Sequence, residues 1–128
     1  MSLFDTFLNY IVFVETLPLI LSGLTTTLVL GVTCIILGFI FGIVLALVRL
    51  YGARPLSLLT IAYIDVFRAI PVLVLLFVVY YALPFAGIRL SSFTSATTAI
   101  SMVSAAYSAE IVRAGIEAIP KGQFEAAH

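Results

Sequence analysis

The chain has 128 residues, of which 63% are apolar and 9% charged, and six Lys or Arg are balanced by six Asp or Glu. Soluble domains average about 45–50% apolar and about 25% charged residues, so this composition excludes a disordered chain and leaves too few polar side chains to clothe a water-soluble globule. A net charge of zero offers no basic patch for nucleic acid, and the single cysteine, Cys34, excludes an internal disulfide framework or a zinc cluster.

A helix crossing the bilayer core needs about 20 mostly apolar residues. Three intervals without charge are long enough: residues 16–48, 69–88 and 90–109. The expected fold is therefore an all-α membrane protein, a helical bundle of three transmembrane helices. A cleaved signal peptide is not expected, because the first charges are Asp5 and Glu15 and no basic region precedes the apolar run. In residues 1–22, Phe4, Phe7, Leu8, Ile11 and Val12 share one helical face opposite Asp5, Thr6 and Asn9. That pattern suits a short helix lying in the membrane interface.

The transmembrane region is expected over residues 23–112. Its first span, residues 24–48, opens with Thr25, Thr26 and Thr27 and carries Gly31, Gly38, Gly42 and Ala46 on one face. Small residues four apart let a second helix approach closely, either within one subunit or across a dimer. The second span, residues 58–83, has Asp65 and Arg68 three apart on one face, followed by Pro71. Proline has no N–H for the carbonyl of Phe67, so the helix should bend there. Asp65 and Arg68 are read either as a paired anchor at the cytoplasmic boundary, where arginine snorkels, or as part of an inner gate or substrate path. The third span, residues 93–112, holds Ser95, Thr97, Thr98, Ser101, Ser104 and Ser108. So many hydroxyls suit a helix packed in a bundle or lining a polar path. Glu110 and Arg113 divide in the same way, between structural pairing at the membrane exit and a role in the path.

Three spans put the termini on opposite sides. One side then holds Arg49, Arg54, Arg68, Arg113 and Lys121, and the other holds Arg89 alone. The excess of Lys and Arg on cytoplasmic loops places the N-terminus outside and the C-terminal tail in the cytoplasm. Arg89, the lone external base, is a candidate contact for an external partner.

In the tail, residues 113–128, Arg113, Glu117, Lys121 and Glu125 recur every four residues, but Pro120 and Gly122 interrupt any continuous helix. The reading is a helix, a turn at Pro120 to Gly122, and a new short helix from about Gln123, with Glu125 near its positive end. No catalytic set is visible, and Cys34 and His128 are read as incidental. The stretch from Gly115 to Lys121 lacks the second glycine and the Ser or Thr of a phosphate-binding loop.

Gly122, Gln123, Phe124, Glu125, Ala126 and Ala127 resemble the EAA loop of binding-protein-dependent ABC importer permeases. Upstream, Ala106 to Arg113 and Ile119 to Gln123 resemble the signature of the polar amino acid branch, the histidine/glutamine-type permeases. Phe67-Arg68-Ala69-Ile70-Pro71 resembles that branch's Phe-Arg-Gly-Thr-Pro, and Tyr80 to Pro84 resembles the end of the same span. Two departures stand out: Leu75 replaces a frequent Gln, and Ala69-Ile70 replaces Gly-Thr. The chain stops at His128, where the family continues into about two further spans, so it looks like the N-terminal three spans of a five-span permease.

The resemblance implies a transport subunit of the bacterial inner membrane, importing polar amino acids without a cofactor or metal of its own. It implies a separate ATPase docked on the coupling residues Gly122 to Ala127, an extracytoplasmic solute-binding protein, and a second permease subunit, identical or not, in the lipid bilayer. The alternatives are a non-transporting fragment and a small self-assembling channel built on the Gly31, Gly38 and Gly42 face.

Overall fold

The computed structural model describes residues 9–120, which are helical and contain no strand. The chain divides into two compact units, Met1–Val32 and Thr33–His128. The first helix, α1, is Tyr10–Tyr51. Asn9 starts it by accepting from the N–H groups of Ile11 at 3.1 Å and Val12 at 3.4 Å through its side-chain oxygen, the usual role of an N-cap amide.

The sequence placed the beginning of the first span at Leu24, after a separate interfacial segment. α1 instead runs unbroken through Pro18 and Gly23; residues 1–8 of that segment lie outside the described residues. The physical reason is the poverty of alternatives: with apolar side chains on every face, the backbone keeps its hydrogen bonds internal. Hydroxyls are absorbed the same way. Thr16, Thr25, Thr26 and Thr27 donate to the carbonyls of Val12, Leu21, Ser22 and Gly23 at 2.7–3.1 Å.

The second helix, α2, is Arg54–Ala69, with proline in its first turn where no N–H is needed. The Ser57 hydroxyl donates to the Arg49 carbonyl at 2.8 Å and fastens the α1–α2 turn. α2 ends at Ile70, whose backbone is extended (φ −81°, ψ 127°), and the chain restarts as α3, Val72–Phe77. The expected bend at Pro71 is a complete break. The two helical stretches, Arg54–Ala69 and Val72–Ala86, meet at 102°. Pro71 favours this locally, because its ring disfavours the helical conformation at the residue before it.

α3 loosens into a π-helical turn over Val78–Ala82 and tightens into a 3₁₀ turn over Leu83–Ala86. Gly87 (φ 83°) closes it: its N–H donates to the Pro84 carbonyl and that of Ile88 to the Leu83 carbonyl, both at 3.1 Å. This paired closure requires the left-handed conformation that glycine adopts without cost. The last helix, α4, is Ser92–Glu117; Ser91 caps it by accepting from the Thr94 N–H at 3.1 Å.

Two apolar clusters hold Thr33–His128 together. Ala46, Ile64 and Ala109 bring α1, α2 and α4 to one point, and Leu75, Val79 and Ala99 bind the broken stretch to α4. In lipid, close packing carries such a bundle more than transfer from water does. Small residues accordingly line the α1 face toward α4: Cys34, Gly38, Gly42 and Ala46 are its buried positions.

Among the described residues, by length and composition, α1 alone is apolar enough to cross a membrane, or there are up to two candidate spans if the broken stretch counts as one. The third expected span, α4, has 26 residues and is not among them. Its hydroxyls are the reason, since they lower its mean hydropathy without shortening it.

Candidate functional site

Three of the expected path residues meet at one end of the bundle. Glu110, near the end of α4, accepts from Arg49 at the end of α1 and from Arg113 one turn further along α4, whose Nη2 and Nε approach at 2.8 and 3.2 Å. The Arg68 guanidinium, at the end of α2, reaches the same carboxylate at 3.9 Å. Arg113 also pairs with Glu117. One carboxylate thus gathers arginines from three helices. The cluster holds three guanidinium groups against two carboxylates, leaving one positive charge in excess.

Burial ranks these pairs. The Glu110 side chain is 17% exposed and Arg49 21%, whereas Glu117 is 52% exposed. A pair like Arg113–Glu117 contributes about 0.3–0.5 kcal/mol at a helix surface. Removing the half-buried Glu110 costs more, since three arginines lose their shared counter-charge.

Arg68 is held twice over by α4. Its carbonyl accepts from the Tyr107 hydroxyl at 3.4 Å, and its guanidinium lies over the Tyr107 ring, 5.5 Å from the centroid. It therefore does not pair with Asp65. Asp65 is exposed and has no ion-pair partner among the described residues. The spacing of three had put Asp65 and Arg68 on one face, but Arg68 turns to α4, where a carboxylate and an aromatic face are both at hand. The convergence of Arg49, Arg68 and Glu110 was missed. Its available signal was charge at the ends of three spans assigned to one side, since charges crowded at one boundary gain by meeting.

The glycines divide. A Cβ on Gly38 would lie 2.5 Å from Cβ of Ser104, and one on Gly42 would collide with Cβ of Ser108, so both stand against α4. A Cβ on Gly31 meets nothing within 4 Å. A self-assembling channel would need this face, and α4 already covers Gly38 and Gly42.

An apolar cavity of about 420 Å³ opens between α1, α2 and α4, lined by Phe41, Leu45, Tyr63, Thr97, Ser101 and Met102 among others. The Tyr63 hydroxyl donates to the Met102 carbonyl at 2.9 Å. The hydroxyls of Thr97 and Ser101 have no hydrogen-bond partner among the described residues. No group of three His, Cys, Asp or Glu among those residues could hold a metal. The coupling residues Gly122, Gln123, Phe124, Glu125, Ala126 and Ala127 lie outside the described residues; α4 ends at Glu117, ahead of Pro120.

The model of the family described as "binding-protein-dependent transport system inner membrane component" matches residues 38–128. The chain is 43% identical over 121 residues to the arginine transport system permease protein ArtQ of Bacillus subtilis, covering 94% of this chain and 55% of that protein. It is 38% identical to the glutamate/aspartate import permease protein GltK of Escherichia coli, covering 89% and 54%. A crystal structure of an amino acid ABC transporter with histidines matches with a TM-score of 0.85 and 38% identity, over 92% of this chain and 55% of that one. The chain spans about half the length of the curated relatives it matches.

Proposed function

The chain belongs to the family of inner membrane components of binding-protein-dependent transport systems, and from that membership we propose that it works in the permease of an ATP-driven importer of polar amino acids. The observation that carries the reading is its likeness in both fold and sequence to the solved amino acid transporter. The substrate class is supported by relatives named for arginine, glutamine, cystine and glutamate/aspartate.

In this reading three spans cross the inner membrane: α1, the broken stretch Arg54–Ala69 with Val72–Ala86, and α4. Counting α4 is supported by where its polar groups sit. Ser95 and Ser101 are buried, and Ser104 and Ser108 face Gly38 and Gly42 of α1. A helix that turns its hydroxyls onto partner helices tolerates low hydropathy in lipid. The arginine cluster then lies at the cytoplasmic boundary, with the N-terminus outside and the tail inside. An alkaline phosphatase fused at Leu90 is expected to be active, and a silent fusion there overturns this orientation.

ATP is bound and hydrolysed by a separate ATPase, and a solute-binding protein delivers the amino acid from outside to a pair of permease subunits. Residues 122–127, by their resemblance to the EAA loop, form the coupling segment on which the ATPase acts. ATP binding favours one of two bundle arrangements, and the permease alternates between them. Asp65 fits an inner gate of the substrate path: near the cytoplasmic boundary it is an exposed carboxylate with no ion-pair partner among the described residues, open to a cationic group of substrate or of another helix.

The test is reconstitution of the permease containing this chain, with its ATPase and binding protein, in proteoliposomes. ATP-dependent uptake of labelled L-arginine or L-glutamine is expected, and no uptake of any polar amino acid refutes the reading. Glu125→Ala is expected to lower uptake at least tenfold while ATP hydrolysis persists. Wild-type uptake by that variant removes Glu125 from the coupling segment.

A further inference from the structure

We propose that Glu110 is a positioning residue that ties the end of α4 to the break in the second span, so that movement of α4 is delivered to Ile70 and Pro71. The inference rests on the transport reading above and adds the physical connection between the coupling segment and the broken helix.

The connection runs through few residues. Glu110 lies in the part of α4 that leads to the coupling segment. Its carboxylate engages Arg68, which stands two residues before the extended Ile70. One turn earlier on α4, Tyr107 takes hold of the same residue by a second route, through its hydroxyl on the Arg68 carbonyl and its ring beneath the guanidinium. Arg68 is thus fastened to α4 through both backbone and side chain. Arg49, on the other oxygen of Glu110, ties the end of α1 into the same knot.

Beyond the break, nothing comparable exists among the described residues. α3 and the π-helical turn meet α4 through the apolar side chains of Leu75 and Val79 against Ala99. Apolar contacts of this kind slide, whereas ion pairs and hydrogen bonds fix position and direction. A displacement of the α4 end therefore carries the α2 end with it and is taken up at Ile70–Pro71, two consecutive extended residues that separate the last helical bond of α2, Ile70 N–H to the Val66 carbonyl, from the first of α3, Leu75 N–H to the Pro71 carbonyl. Without Glu110 the three arginines repel one another, and the α2 end loses its main charged link to α4.

Glu110→Gln in the assembled permease, ATPase and binding protein tests this in proteoliposomes. The shape is kept and the charge removed. The expected result is ATP hydrolysis within about twofold of wild type and amino acid uptake per ATP at least tenfold lower, with partial recovery in Glu110→Asp. A merely structural role would lower hydrolysis and uptake together, and that outcome overturns the proposal, as does unchanged uptake per ATP. If Glu110→Gln does not assemble, Tyr107→Phe and Arg68→Lys decide: each is expected to lower uptake per ATP two- to fivefold, and unchanged ratios in both refute the link. Absence of uptake by the wild-type complex would instead strike the transport reading itself.

Discussion

Gly42→Leu is expected to prevent α1 from seating on α4 and to lower the stability of the bundle by about 3 kcal/mol or more. Overpacking usually costs about 1–3 kcal/mol because neighbouring side chains can shift. At Gly42 they cannot. A Cβ there meets Cβ of Ser108, and within 3.1 Å lie the Ala105 carbonyl oxygen and the Ala109 backbone nitrogen. These atoms belong to the α4 backbone, so relief requires the helices to separate. Separation takes the buried Ala46, Ile64 and Ala109 cluster with it and draws Arg49 away from Glu110. A loss of 3 kcal/mol is more than a hundredfold in the ratio of folded to unfolded protein. Gly31→Leu is the control: its Cβ enters open space, and a substitution that meets no close-packed neighbour stays within about 0.5 kcal/mol. Unfolding of the two variants in mixed micelles, followed by circular dichroism, measures the difference. Equal midpoints for Gly42→Leu and wild type would mean that the helices do not approach as closely as described.

These two glycines also mark the limits of what the sequence reveals. The four-residue spacing of Gly38, Gly42 and Ala46 announces a face on which another helix lies close, but not which helix. The answer is in Ser104 and Ser108, which share the same spacing; their hydroxyls announce a helix packed in a bundle or lining a polar path, but not its partner. Gly31 falls on the same face by periodicity, yet a Cβ there would meet nothing within 4 Å, because periodicity records orientation and not close approach.

Charge behaved similarly. Span ends could be placed from the arginines, yet pairing by spacing alone chose Asp65 for Arg68. The pairing is decided in three dimensions by Glu110 and Tyr107, which are about forty positions away in the chain. The π-helical turn at Val78–Ala82 left no trace in residue type. It arises where the last turns of the broken span adjust to the surface of α4, and nothing local to Val-Val-Tyr-Tyr-Ala demands it.

Pro71→Ala is expected to produce two populations where wild type has one, and to reduce uptake at least tenfold with ATP hydrolysis retained. Two terms compete at this position. A proline inside a helix costs about 3 kcal/mol, from the lost hydrogen bond and the clash with the preceding turn. That cost keeps α2 and α3 from fusing into one straight helix, although Phe67, Ala69, Ile70 and Val72 are compatible with helix. Against fusion in the variant stands the packing of Leu75 and Val79 on Ala99, with Ile70 and Phe67 at the margin of the same cluster. Alanine removes the first term and leaves the second, so neither form dominates. The bent form persists where the packing holds, and a straightened form appears where it lets go. Spin labels at Leu59 and Leu73, both well exposed, report the outcome directly. A continuous helix would separate these positions by about 21 Å along its axis, whereas the 102° break shortens the path between them. A second, longer distance is therefore expected in Pro71→Ala. The functional loss follows because a straightened helix no longer offers at Ile70 and Pro71 the break that takes up the displacement delivered from α4. A single unchanged distance with wild-type uptake would show that packing against α4 sets the break and that Pro71 only accompanies it.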